Sequence, residues 1–217
     1  MAIYHSHKAI FLHIPKNGGT TVTTLLKRNW FFGRRVNEAD EREVGGETIV
    51  ELMDILGSQA QDYFKFSFVR NPWDRFVSAY HYVCQRRPDM DIVTSHGSFA
   101  EFVSAFAEEP SKYLQIRYFR EQWPYLLDAK GDCPLDFLGR FENFDSDLDT
   151  ALKQIGIRRF LVRHRKKTKR DDYRTYYDDD TRSLIAGVYA RDIAEFGYDF
   201  EAGTVRKKNL AIRKLNS

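Results

Sequence analysis

At 217 residues, 42% hydrophobic and 15% aromatic (17 Phe, 12 Tyr, 3 Trp), the chain has the length of one domain and excludes wholesale disorder. No apolar run approaches the roughly 18 residues of a membrane helix, and the polar start Met1 to Lys8 leads straight into a motif, so neither a membrane span nor a signal peptide is expected. A net charge of +3 is too small to imply nucleic acid, and two distant cysteines, Cys84 and Cys133, exclude a disulfide scaffold and a cysteine-rich metal site, leaving two free thiols in a reducing compartment or one bridge.

In chain order, Ala9 to Ile14 is a short apolar run closed by Pro15, which predicts a buried strand. Lys16-Asn17-Gly18-Gly19-Thr20-Thr21 follows, and then Val22, Leu25, Leu26 and Trp30 recur at helical spacing. Phe31 to Gly46 is polar and acidic and reads as a loop. Thr48 and Glu51 have capping-box spacing for a helix carrying Ile49, Leu52, Met53 and Leu56 and stopped by Gly57. Phe64 to Val69 predicts a second strand; it ends at Arg70-Asn71-Pro72, where the proline suits the first turn of a helix through Trp73, Phe76, Val77, Tyr80 and Cys84.

Ser98 and Glu101 repeat the capping pattern before Phe99, Phe102, Val103 and Phe106. Lys112 to Leu127 is aromatic and basic and reads as helical up to Pro124. Leu135 to Phe141 predicts a third strand, and Asp145 a cap for a helix carrying Leu148, Leu152 and Ile155, closed by Gly156. Arg158 to Arg174 holds nine Lys or Arg against two Asp, a local positive field in a balanced chain. Asp178, Asp179 and Asp180 suit the positive end of a last helix running from Leu184 to Phe196, with Gly197 as its stop. Alternating strands and helices predict an α/β fold: a single domain over residues 1–217 with a mainly parallel central sheet flanked by helices. Ligands of such sheets sit at the carboxyl ends of strands.

Two strand ends carry suggestive residues. At Lys16 to Thr21, Gly18 and Gly19 allow close backbone approach, and the following helix aims free N–H groups and its dipole at the strand end, a phosphate-binding arrangement. Lys16 adds charge and Thr20 and Thr21 add hydroxyls. The lysine precedes the glycines, the reverse of G-x-x-x-x-G-K-[ST], which argues against nucleoside triphosphate chemistry. An ordinary strand–turn–helix with a surface lysine is the plainer alternative. At the second strand end, Arg70 offers a planar fork for a phosphate and Ser78, two helical turns on, a hydroxyl; taken alone, Arg70 also suits a structural pair with Asp74.

Together these segments resemble the sulfotransferases that use 3′-phosphoadenosine 5′-phosphosulfate (PAPS). Phe11 to Thr21 is similar to their P-loop-like 5′-phosphosulfate loop, and Val69 to Tyr80 to their 3′-phosphate motif, in the right order and with a helix and a strand between. Leu138 to Phe144 with Asp147-Leu148, and the tail from Lys167 through Tyr173, Tyr176 and Tyr177 to Phe196-Gly197-Tyr198, also look like this family. The resemblance is nearest to the carbohydrate type, whose first motif reads H-I-P-K-x-G/A-G-T. It implies transfer of a sulfonate group to an acceptor hydroxyl or amine, with a carbohydrate as acceptor. It implies that Lys16 meets the 5′-phosphate and the bridging oxygen, that Asn17, Gly18, Gly19, Thr20 and Thr21 complete the cradle, and that Arg70 and Ser78 hold the 3′-phosphate. It also implies that a basic loop over residues 158–177 closes on the nucleotide through Lys167, Thr168 and Arg170; a solvated charge run or a surface for an anionic acceptor are the other readings. Many relatives carry Asn where Lys166 stands. No metal is expected, since the six histidines show no ligand spacing.

A general base near the sulfur is needed for a hydroxyl acceptor. Relatives often place a His where Gly46 falls here, so the candidates are Glu47, adjacent to it, and Glu38, in the acidic loop; each also reads as a solvated surface residue. His81 and His13 read as packing histidines before they read as catalysts. The segment 109–134 is the expected acceptor-binding region, with Arg117, Tyr118, Arg120 and Gln122 suited to a sugar; its aromatics also suit core packing. Rival readings are a P-loop kinase-like phosphotransferase and a non-catalytic module binding the nucleotide or a sulfated glycan. The expected location is the bacterial cytoplasm; a Golgi-type enzyme trimmed of its anchor has the same appearance.

Overall fold

The computed structural model describes residues 2–27, 41–43, 48–157 and 171–204. β1 (Ala2–Tyr4) and β2 (Ala9–Leu12) form a hairpin across a 3₁₀ turn at His5–His7, closed by Lys8 at φ 46°. Every residue of β2 is buried, as expected of a strand covered on both faces. α1 (Gly19–Lys27) follows the glycine loop. β3 (Glu41–Glu43) corrects the loop expected over Phe31 to Gly46: it pairs antiparallel with β1, and a three-residue strand whose register comes from its partner leaves no periodicity to read. In α2 (Ile49–Leu56) the Thr48 N–H donates to Glu51 Oε2 at 2.6 Å, and Gly57 ends the helix at φ 54°.

β4 (Phe64–Val69) leads into α3 (Pro72–Arg86), with α4 (Asp91–Thr94) and α5 (Phe99–Glu108) beyond. Ser98 Oγ caps α5 by accepting from the Glu101 N–H at 3.2 Å. The helix expected from Lys112 to Pro124 is broken: α6 (Pro110–Leu114) stops early, turns follow, and α7 (Trp123–Leu126) begins with Pro124 in its first turn. Proline starts this helix because a first-turn N–H has no intrahelical acceptor to lose. β5 (Phe137–Arg140) precedes α8 (Phe144–Gln154), which starts ahead of Asp145 because Phe141–Asn143 already turns as 3₁₀; Asp145 lies in the first turn and does not cap it. The last helix is also two, α9 (Asp179–Val188) and α10 (Ala190–Phe196), parted at Tyr189, and β6 (Tyr198–Asp199) pairs with β7 (Gly203–Thr204).

The described residues fall into two compact units. Residues 2–69 and 122–157 hold a five-stranded sheet of order β3-β1-β2-β4-β5. β2, β4 and β5 are parallel neighbours, and β1 runs against both β2 and β3, so four of the five described strands share one direction. Phe11, Phe66 and Phe68 of the sheet pack with Val22 and Leu26 of α1 and Phe144, Leu148 and Leu152 of α8. Residues 70–121 and 171–204 form the helical unit around a second core. Phe76 is its centre, with the rings of Phe106, Phe119 and Phe102 at 5.0, 5.3 and 5.5 Å, and the buried Tyr189 hydroxyl donates to the Phe119 carbonyl at 2.5 Å.

Candidate functional site

Within the sheet unit, the turn between β2 and α1 is an unusual piece of backbone. Lys16 adopts φ 73° and Gly18 φ 84°, so two left-handed residues flank Asn17. A left-handed conformation costs a residue with a Cβ roughly 1–2 kcal/mol, and Lys16 needs surroundings that impose it. Asn17 supplies them: it is 1% exposed, and its Nδ2 donates to the Phe68 carbonyl at 2.7 Å and to Gln122 Oε1 at 2.8 Å. The glycines are sterically required. A Cβ on Gly18 would stand 2.5 Å from Phe144 Cε2, and one on Gly19 would stand 2.0 Å from His13 Cδ2. His13 is itself stacked on Phe11 at 5.8 Å.

α1 then opens with Thr21 and Val22 N–H groups donating back to the Gly18 carbonyl at 2.9 and 3.5 Å. No acidic residue sits in its first turn to compete for an anion. The loop joins a lysine, close-approach backbone and the positive end of a nine-residue helix, which is the donor set a phosphate needs. Thr20 is exposed and Thr21 buried.

In the helical unit, Asn71 Oδ1 caps α3 by accepting from the Trp73 and Asp74 N–H groups at 3.1 and 3.5 Å, and Pro72 takes the first helical position. Arg70 is 6% exposed, and its Nε donates to Asp74 Oδ2 at 2.7 Å, a charge-assisted bond that fixes the guanidinium plane. Ser78 is buried two turns along the same helix. The tail is fastened to this helix start: Asn71 Nδ2 donates to the Asp199 carbonyl at 3.1 Å, Tyr177 OH to the Trp73 carbonyl at 3.0 Å, and Trp73 Nε1 to the Arg182 carbonyl at 3.0 Å. His81 packs edge-on to Tyr176 at 5.0 Å.

The four acceptor candidates do not share one environment. Arg117 is exposed and Arg120 half-buried, whereas Tyr118 is 6% exposed and part of the aromatic core of the helical unit. Arg117 lies 4.9 Å over the Tyr118 ring and donates to its hydroxyl at 3.0 Å. Burial works to raise the Tyr118 phenol, but hydrogen bonds from Arg117 and Tyr82 prevail and hold it below its ordinary value. Gln122 belongs to the sheet unit and is fully buried, its Oε1 accepting from Asn17 Nδ2 at 2.8 Å in the turn between β2 and α1. Glu38, Glu47, Lys166, Lys167, Thr168 and Arg170 lie outside the described residues. Cys84 and Cys133 are both free thiols. Among the described residues no cluster of three or more His, Cys, Asp or Glu is placed to hold a metal ion, and no helix is long and apolar enough to cross a membrane.

Sequence reasoning missed His13, Gln122 and Phe144 as the walls of the loop. The latter two are more than 100 residues from it, and no local pattern signals such a contact. The start of α3 was legible from Pro72, which suits a first helical turn, whereas the cap by Asn71 comes from the structure.

The sequence model of the sulfotransferase family matches residues 1–199. The chain belongs to this family. Among its sulfotransferase relatives, carbohydrate sulfotransferase 10 of Xenopus laevis is 21% identical over 232 residues, covering 88% of this chain and 65% of that protein. Carbohydrate sulfotransferase 11 of Rattus norvegicus is 21% identical over 236 residues, 91% of this chain and 66% of that protein. The chain therefore spans slightly less than two thirds of the length of these relatives. An uncharacterized protein of Archaeoglobus fulgidus is 29% identical over 114 residues, 52% of this chain and 83% of its own length. No solved structure matches this chain.

Proposed function

We propose that this sulfotransferase-family chain moves the sulfonate group of PAPS to a hydroxyl of a carbohydrate acceptor. The observation that carries the proposal is the loop at Lys16 to Thr21, with its two left-handed residues and its two glycines closed against His13 and Phe144 at the start of α1. Family membership supplies the donor, and the names of the relatives support a carbohydrate as acceptor. In the reaction the acceptor oxygen bonds to sulfur as the bond from sulfur to the 5′-phosphate oxygen breaks, the acceptor proton passes to a base, and adenosine 3′,5′-bisphosphate leaves.

Lys16 neutralises the charge that grows on the leaving phosphate, which is where a fixed cation accelerates transfer most. Asn17 to Thr21 cradle the 5′-phosphate with backbone N–H groups and hydroxyls. Arg70, its plane set by Asp74, and Ser78 bind the 3′-phosphate. Lys167, Thr168 and Arg170 belong to a basic loop over the nucleotide, and Glu47 ahead of Glu38 takes the acceptor proton. Arg117 and Arg120 contact the acceptor, with Tyr118 as the platform under Arg117. The reading needs no metal, treats residues 1–217 as one catalytic domain, and puts the protein in the cytoplasm of a bacterium.

The test is turnover of PAPS with a panel of carbohydrates, following release of adenosine 3′,5′-bisphosphate and the mass of the sulfated product. Lys16→Ala should lower kcat by about 10²–10³. Phosphoryl transfer from ATP with magnesium, or no acceptor-dependent release of the nucleotide, rejects the proposal.

A further inference from the structure

We infer that Gln122 is a positioning residue for Lys16, acting through Asn17 to hold the loop in its left-handed shape; this rests on the reading that the loop binds the donor's 5′-phosphate. The amide of Asn17 has two N–H bonds, and each has one buried acceptor, the Phe68 carbonyl at 2.7 Å and Gln122 Oε1 at 2.8 Å. Two acceptors fix the plane of an amide group, whereas one leaves it a swivel. Asn17 Oδ1 is buried and has no hydrogen-bond partner among the described residues, so the side chain is held from its nitrogen alone. With Asn17 pinned, the peptide joining it to Lys16 is pinned, and Lys16 stays at φ 73° with Gly18 at φ 84° on the other side.

Both acceptors are rigid. Phe68 lies within β4, between β2 and β5. Gln122 is the residue before α7, whose Trp123, Tyr125 and Leu126 are all buried, and is itself 0% exposed. A fully buried glutamine has no surface to offer a sugar. Its side chain instead ties α7 to a loop more than a hundred residues earlier, and misplacing a reacting group by about 1 Å can cost on the order of 10²-fold in rate.

The test compares Gln122→Met, which keeps volume and removes the acceptor, with Asn17→Ala and the double variant. The readouts are calorimetric affinity for adenosine 3′,5′-bisphosphate, and kcat and acceptor KM separately. For Gln122→Met the expected result is nucleotide affinity weakened by about tenfold, from the loss of one buried hydrogen bond, a fall in kcat, and an unchanged acceptor KM. Because Gln122 acts through Asn17, the double variant should bind nucleotide no worse than Asn17→Ala alone. A raised acceptor KM with unchanged nucleotide affinity overturns the inference and returns Gln122 to the acceptor site. Losses that add in the double variant, or a lowered Tm with affinity and kcat intact, overturn it as well. If Gln122→Met does not fold, Gln122→Glu, equal in shape and retaining an oxygen acceptor, decides by the same KM readout: an unchanged acceptor KM supports the inference and a raised one ends it. Failure of the donor reading is distinguishable, because then the wild-type protein itself does not bind adenosine 3′,5′-bisphosphate.

Discussion

His13 and Gly19 occupy the same space in a way that only the absence of a side chain at residue 19 permits. A Cβ there would stand 2.0 Å from the imidazole, which stacks on Phe11. Gly19→Ala should therefore overpack the loop, at a cost of about 1–3 kcal/mol, and weaken binding of adenosine 3′,5′-bisphosphate. His13→Ala in the same chain removes the obstacle, so the double variant should recover part of both losses. Thermal melts and calorimetric titration of the three variants check this, and a double variant no better than Gly19→Ala would show that the clash is not the cause. Gly18 differs: its φ of 84° strains any larger residue whatever happens to Phe144. The sequence showed that these glycines matter, because Gly-Gly after an apolar run marks a close backbone approach. It did not show what approaches them, since Phe144 lies 126 positions away from Gly18.

The start of α3 concentrates the chemistry of the helical unit. Asn71 caps the helix, Asp74 orients Arg70, and the tail is bonded to both Asn71 and Trp73. Arg70→Ala should weaken adenosine 3′,5′-bisphosphate far more than adenosine 5′-phosphate, because the 3′-phosphate assigned to Arg70 exists only on the first. One charged hydrogen bond is worth roughly 1.5–3 kcal/mol, about 10- to 150-fold in affinity. Equal losses for the two ligands in parallel titrations would remove the assignment. At α9, the Asp178 carboxylate caps the helix by accepting from the Thr181 hydroxyl at 2.6 Å and the Thr181 N–H at 2.8 Å, and these two bonds hold its pKa below the ordinary value. A folded pKa below the unfolded one means that the cap's contribution is present above the unfolded value, about 3.9, and is lost as pH falls through the folded value. Between about pH 5 and pH 2.5 the Tm of wild type should fall further than that of Asp178→Asn, which keeps an acceptor but cannot titrate; identical slopes would deny the linkage. Elements with local signals were legible: β2, β4 and β5 from apolar runs, α2 and α5 from their caps. β1 and β3 were not, being three residues each and defined by pairing, and the break at Tyr189, whose hydroxyl bonds 70 residues away, carries no local signal.

Over the whole molecule, each of the two compact units is assembled from stretches that are separated in sequence, so neither is a contiguous fragment. Residues 1–121 alone would lack β5, which pairs with Phe66 to Val69 of β4, and α8, which supplies Phe144, Leu148 and Leu152 to the sheet's core. Such a fragment should show no cooperative thermal transition by circular dichroism and should aggregate; a sharp transition would mean that the four strands β3-β1-β2-β4 suffice. The α/β plan was readable from alternating strands and helices, but the partition into two cores was not, because both cores are made by contacts far apart in the chain. The place of a Cβ on Gly139 lies 2.4 Å from the Phe68 ring, Phe68 packs on Phe144 at 5.0 Å, and Phe144 fills the space where Gly18 would carry a Cβ. Two vacancies and two rings are thus fitted together across three elements, from a sheet edge to the phosphate-type loop. In sequence drift these four positions should change as a set: a larger residue at 139 is tolerable only with a smaller one at 68, and that exchange in turn frees the ring at 144. Descendants that lose one glycine without trading down a phenylalanine should be rare, and the rate at which the loop can evolve is limited by the packing at Gly139 of β5, which reaches it through two rings.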